Sequence, residues 1–235
     1  MMVKVLGSIK NIEEASIVAK YNFDIIDIKN IEDGALGYVG DSQLRAISKK
    51  IAHRKLSVTA GNQIHPNNNI MNEKIQLFNS LGIEYIKIGI FDVRHLNEHK
   101  LFLEKTSSLK IKKVGVLFAD KELEKKHITD LCKLNYDGLM IDTIDKSNRC
   151  TLDILNKDLI SIFVNECHQS NKFCGISGSM TYQNIENAMS FKPDFIGYRG
   201  ALCSSSNRSN LEGSKCKSIL TKIKDTNQKM YQEVV

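Results

Sequence analysis

Short apolar runs alternate with longer amphipathic ones from one end of this 235-residue chain to the other, and that alternation most restricts its fold. Runs at 3–6, 24–30, 55–60, 85–90, 113–119, 137–143, 173–178 and 195–200 read as strands. The stretches at 11–21, 41–53, 70–81, 93–105, 121–134, 152–169, 181–191 and 214–225 read as helices. Asn11 is placed to cap the first helix, with Glu13 and Glu14 where the helix dipole favours negative charge, and Gly82 stands just past the third. An open doubly wound sheet rarely needs eight such units, whereas a closed (β/α)8 barrel needs eight. The pattern predicts an α/β chain folded as a single-domain TIM barrel over 1–225, with 226–235 a frayed tail.

Composition narrows the function. No apolar run reaches the eighteen residues of a membrane span and no signal-peptide core follows Met1, which points to a cytoplasmic protein that does not engage a membrane. The six cysteines form no C-x-x-C pair and are scattered along the chain, as reduced thiols are. A formal charge of +6 is spread along the helices, which suits a small phosphorylated substrate. Without Trp or an aromatic platform motif, no nucleic-acid partner is expected. A homo-oligomer is left open.

In such a barrel the active site forms at the C-terminal ends of the strands. The second strand reads Asp24-Ile25-Ile26-Asp27-Ile28-Lys29-Asn30 and empties into a loop with Gly34 and Gly37. Side chains alternate along a strand, so Asp27 and Lys29 share one face while Ile26 and Ile28 cover the other. The fourth strand, Tyr85-Ile86-Lys87-Ile88-Gly89-Ile90, repeats the device with Lys87, the sixth ends at Asp142, and the loop beyond carries Lys146. Lys29, Lys87, Asp27, Asp142 and Lys146 are thereby expected at one mouth. A lysine beside a carboxylate in an apolar strand is the raw material of a tuned amine, as Schiff-base nucleophile or proton carrier. The plainer reading of any one such pair is an internal ion pair.

Ser177-Gly178-Ser179 before a helix, and Arg199-Gly200-Ala201 after the eighth strand, predict a phosphate site. Gly178, Ser179, Gly200 and Ala201 would let backbone approach the anion, and Arg199 or Arg208 would supply charge. His95 and His99 are four apart, a spacing that can hold a metal, but no third ligand is visible and both read as surface histidines. Cys203 reads as a small filler in the phosphate loop. No metal and no cofactor are expected.

Taken together, the second-strand run with Gly34 and Gly37, Tyr85-Ile86-Lys87-Ile88-Gly89, Asp142-Thr143 with Lys146, Gly178-Ser179, and Gly197 to Ala201 with Cys203 resemble the (5-formylfuran-3-yl)methyl phosphate synthases of methanofuran biosynthesis. The likeness runs almost the whole chain, in order. It implies a lyase that condenses two glyceraldehyde 3-phosphate molecules, with loss of phosphate and water, to 4-(hydroxymethyl)-2-furancarboxaldehyde phosphate. It also implies Lys29 as the Schiff-base lysine and Lys87 as the proton acceptor, with Asp27, Asp142 and Lys146 in support. The chain departs from the family pattern at Gly61-Asn62, where an acid is expected, and at Ser204-Ser205-Ser206, where glycines are expected before Asn207-Arg208.

The D-x-K pair also resembles barrels of the orotidine-monophosphate decarboxylase type, whose lysine donates a proton without an imine and whose further acid would fall at Glu32. A catalytically silent phosphate sensor is the third reading.

Overall fold

A computed structural model of the chain describes residues 2–145, 149–204 and 208–232. The strands are β1 (Lys4–Ile9), β2 (Ile25–Ile28), β3 (Leu56–Thr59), β4 (Tyr85–Gly89), β5 (Lys112–Phe118), β6 (Gly138–Asp142), β7 (Phe173–Ile176) and β8 (Phe195–Tyr198). Each pairs in parallel with its neighbour in sequence, and β8 returns to β1, closing the predicted TIM barrel. Between them run α1 (Ile12–Val18), α2 (Asp41–Lys50), α3 (Asn69–Ser80), α4 (Leu96–Lys105), α5 (Lys125–Cys132), α6 (Thr151–Ile154), α7 (Lys157–Gln169), α8 (Ile185–Ser190) and α9 (Gly213–Gln232).

Alternation along the strands sorts side chains into two apolar bodies. Ile26, Ile28, Val58, Ile86, Ile88, Leu139 and Ile141 pack outward against the helices. Leu6, Ile25, Val114, Val116, Met140 and Phe195 form a second, smaller cluster that fills the barrel. Gly175 belongs to this filling by omission. A Cβ there would lie 2.1 Å from the Phe195 ring, so glycine leaves the space the ring occupies.

Several boundaries differ from the sequence reading for local reasons. β1 runs on to Ile9, past Gly7, which puts Ser8 in the sheet. The helix expected over 152–169 is two: Leu155 is extended, and the Asn156 side chain accepts from Leu159 N at 2.8 Å to start α7 afresh. The helix expected from Thr181 begins at Ile185, because the Asn184 side chain takes the Thr181 N–H in the turn before it. The frayed tail expected from Thr226 is instead the last turns of α9, which continues to Gln232. Thr226 and Asn227 are buried there, and the Asn227 amide bonds both backbone groups of Val3, accepting from N at 2.9 Å and donating to O at 3.0 Å. Among the described residues, no helix is long and apolar enough to cross a membrane.

Candidate active site

Strand register assembles the charged centre. Asp27 lies opposite Ser8 on β1 and Ser57 on β3. Both hydroxyls donate to its carboxylate, Ser8 Oγ to Oδ2 at 3.0 Å and Ser57 Oγ to Oδ1 at 2.9 Å. Lys87 Nζ reaches Oδ2 at 2.6 Å, with the two side chains 2% and 0% exposed. A buried carboxylate is tolerated when it is paired and its lone pairs are filled, and Asp27 meets both conditions. Among the described residues the amine paired with Asp27 is therefore that of Lys87 on β4, not its strand neighbour Lys29.

Lys29 stands one residue beyond β2, where its backbone N–H donates to Ile9 O at 3.0 Å. Its buried side chain joins Ser8, Asp142, Gly178, Gly200 and Arg208 around a cavity of about 180 Å³. That is below the about 300 Å³ at which drug-sized sites begin, a volume for a small molecule. Asp27 and Lys87 lie off these walls; Ser8 is on them and hydrogen-bonds to Asp27, so one hydroxyl joins cavity and ion pair. Asp142 is buried at the end of β6 and accepts from Thr143 N at 2.8 Å. Lys146 lies outside the described residues, as do Ser205, Ser206 and Asn207.

The expected phosphate residues divide into two groups. Gly178, Ser179, Gly200, Ala201 and Arg208 line the cavity, Gly178 with a φ of 94° and so tightly placed between Thr151 and Thr143, the residue after β6, that a Cβ would sit 2.8 Å from the Thr143 side chain. Arg199 also borders it, but its guanidinium is taken. Nη1 and Nη2 grip Glu14 at 2.6 and 2.9 Å, Nη1 also donates to Ser8 O, and Nε and Nη2 donate to Arg208 O. Arg199 is thus a buried strut between α1, β1 and the loop after β8. Of the two arginines expected to hold phosphate, the one that presents its charge to the cavity is Arg208, whose pKa burial lowers while Asp142 opposes the shift.

Other sequence expectations shift. His99 is fully buried rather than superficial, its Nδ1 2.6 Å from the Tyr136 hydroxyl, because α4 turns that face into the core. His95 precedes α4 and lies with His65 and Glu98 on the outer rim. Asn62, where an acid is expected, accepts from Leu36 N at 3.1 Å and donates to Asp33 O at 2.7 Å, pinning the loop after β2. The Glu32 side chain is 80% exposed, outside the barrel.

Residues 5–219 match the 4-HFC-P synthase family. The chain belongs to this family. It is 26% identical over 213 residues to the (5-formylfuran-3-yl)methyl phosphate synthase of Methanocaldococcus jannaschii, covering 85% of this chain and 90% of the relative. The enzyme of that name from Methanosarcina barkeri is 26% identical over 217 residues, with the same coverage. Among solved structures, 3-hexulose-6-phosphate synthase from Salmonella typhimurium superposes with a TM-score of 0.65 at 15% identity, covering 95% of this chain and 100% of that one. 3-Keto-L-gulonate-6-phosphate decarboxylase from Vibrio cholerae gives 0.65 at 10% identity, with 96% and 99% covered. These two likenesses are of fold. The resemblance read from the strand motifs is therefore to the family the chain belongs to.

In this 4-HFC-P synthase family member three structural partners escaped the sequence reading. Ser8 and Ser57 escaped because serine in a short strand carries no charge signal, although each falls on the inward alternation that contains Asp27. Glu14 reads as a dipole partner from its place in the first turn of α1, whereas its burial reflects the ion pair with Arg199.

Proposed function

We propose that this 4-HFC-P synthase family member is a lyase that condenses two molecules of glyceraldehyde 3-phosphate to 4-(hydroxymethyl)-2-furancarboxaldehyde phosphate, releasing phosphate and water, in methanofuran biosynthesis. The observation that carries the reading is the buried Lys29 amine on the wall of a small cavity that also presents Arg208 and the Gly178 and Gly200 turns. Lys29 Nζ attacks the aldehyde carbon and water leaves, giving an iminium that acidifies the adjacent carbon. Loss of that proton gives an enamine, which expels the phosphate at the next carbon or attacks a second aldehyde.

The proton leaves by the route the side chains offer. Ser8 borders the cavity and donates to Asp27, so the proton is relayed through the Ser8 hydroxyl to the Asp27 carboxylate, and Lys87, paired with that carboxylate, supports the transfer rather than accepting the proton itself. Arg208 and the turns at Gly178 and Gly200 hold the phosphate, with Ser179 and Ala201 shaping the same wall. Asp142, on the cavity wall, moves protons during dehydration, and Lys146, four residues further along the sequence, takes the supporting role that the family resemblance implies.

Borohydride trapping tests the imine. The protein is incubated with glyceraldehyde 3-phosphate, reduced, and its mass adduct mapped by peptide. An adduct on Lys29, absent from Lys29→Ala, is expected, together with the furan phosphate as product. Saturable substrate binding without an adduct on any lysine would overturn the covalent route and favour non-covalent proton transfer or a silent sensor.

A further inference from the structure

The loops after β3 and β4 meet on the same end of the barrel as the cavity, and there His65, His95 and Glu98 bring one nitrogen or oxygen each to within 4.8 Å of one another. His65 Nδ1 lies 2.8 Å and His95 Nδ1 3.6 Å from the same oxygen, Glu98 Oε1. Donors around a tetrahedral zinc ion, at about 2.0–2.1 Å each, stand about 3.3 Å apart, and the two separations bracket that spacing. The imidazoles meet edge to face, with centroids 4.3 Å apart.

The surroundings fix the donors. His95 stands between two carboxylates, its Nε2 3.9 Å from Asp92 Oδ2 and its Nδ1 3.6 Å from Glu98 Oε1, so the tautomer with its proton on Nε2 turns the Nδ1 lone pair toward the cluster. Asp92 is held in turn by Arg94 Nε at 3.0 and 2.9 Å and by Nη2 at 2.5 Å. On the other loop, Asn68 caps α3 and donates to His65 O at 2.5 Å, anchoring the backbone that carries His65. Two imidazoles and a carboxylate form a donor set matched to zinc and its neighbours in the first transition row, and poorly matched to magnesium or calcium.

We propose that His65, His95 and Glu98 form a binding site for a divalent transition-metal ion of the zinc class, with its remaining position open to water, clamping the β3–α3 loop to the β4–α4 loop. The site is separate from the Lys29 cavity, and its test does not depend on the reaction proposed there. The untagged full chain, stripped with chelator, is titrated with zinc chloride by calorimetry and with cobalt chloride by visible absorption. One equivalent of zinc, cobalt bands of a nitrogen and oxygen site, and a metal-dependent rise in the unfolding midpoint are expected. His65→Ala, His95→Ala and Glu98→Gln should each weaken binding at least tenfold, with circular dichroism unchanged. His168→Ala, which alters the other such group, His168 with Cys174 and Asp194, should leave binding intact. Absence of a saturable equivalent, or an equivalent that survives His65→Ala and Glu98→Gln or is lost in His168→Ala, would overturn the proposal.

Discussion

Asp27 and Lys87 are joined at 2.6 Å inside the barrel, from β2 and β4, with both side chains closed off from solvent. Removing either leaves the other as an uncompensated buried charge, which costs about 3–5 kcal/mol. Asp27→Leu and Lys87→Met should each lower the urea midpoint accordingly, and the double variant should recover most of the loss while remaining without turnover. Single variants as stable as the wild type would show that water reaches the pair.

Ser8 offers a sharper separation of roles. Its hydroxyl is the contact between the cavity and Asp27, so Ser8→Ala should slow turnover by about 100-fold through loss of the proton route. Trapping of substrate on Lys29 should persist. A rate within twofold of wild type would exclude Ser8 from the route.

The two arginines should respond in opposite ways. Arg208→Ala removes a charged contact worth about 1.5–3 kcal/mol to a bound phosphate, raising KM by about tenfold to a hundredfold with little change in unfolding. Arg199→Met strands buried Glu14 and should destabilise the fold by about 3–5 kcal/mol. Steady-state kinetics and urea unfolding of the same pair of proteins decide between them.

That division marks how far the sequence was legible. The barrel was, because eight alternations of period leave few closures, and Lys29 and Asp142 were placed on the cavity wall by strand alternation alone. Which charge meets which was not. Asp27 adjoins Lys29 in sequence yet pairs with Lys87, since partners in a barrel are set by register across strands rather than by spacing along one. Arg199 reads as a phosphate ligand because nothing local shows that Glu14, far away in sequence, already fills its guanidinium. The third member of the rim cluster, His65, comes from a different loop and is invisible to a search for helical histidine spacing.

The end of α9 carries a further test. The Asn227 amide closes two hydrogen bonds on Val3, joining the last helix to the start of β1. Asn227→Ala leaves a buried N–H and C=O unmet, at a cost of about 1–3 kcal/mol. Ending the chain after Asp225 should cost at least as much, and a truncated chain with an unchanged urea midpoint would return 226–235 to the status of a tail.

His99 should govern the acid limb of stability. The imidazole is fully buried, one nitrogen on the Tyr136 hydroxyl and Nε2 without a partner among the described residues, and desolvation lowers its pKa to about 4. In the unfolded chain the same group titrates near about 6.5. Above that value both states are neutral and the fold keeps its full stability. As pH falls, the unfolded chain binds a proton that the folded chain refuses, so stability declines from pH about 6.5 and the decline levels off below about 4, near about 3 kcal/mol in total. His99→Gln, with no titrating group, should flatten that part of the slope when urea midpoints are compared across the interval. Parallel slopes in the two proteins would show that His99 takes up its proton without unfolding.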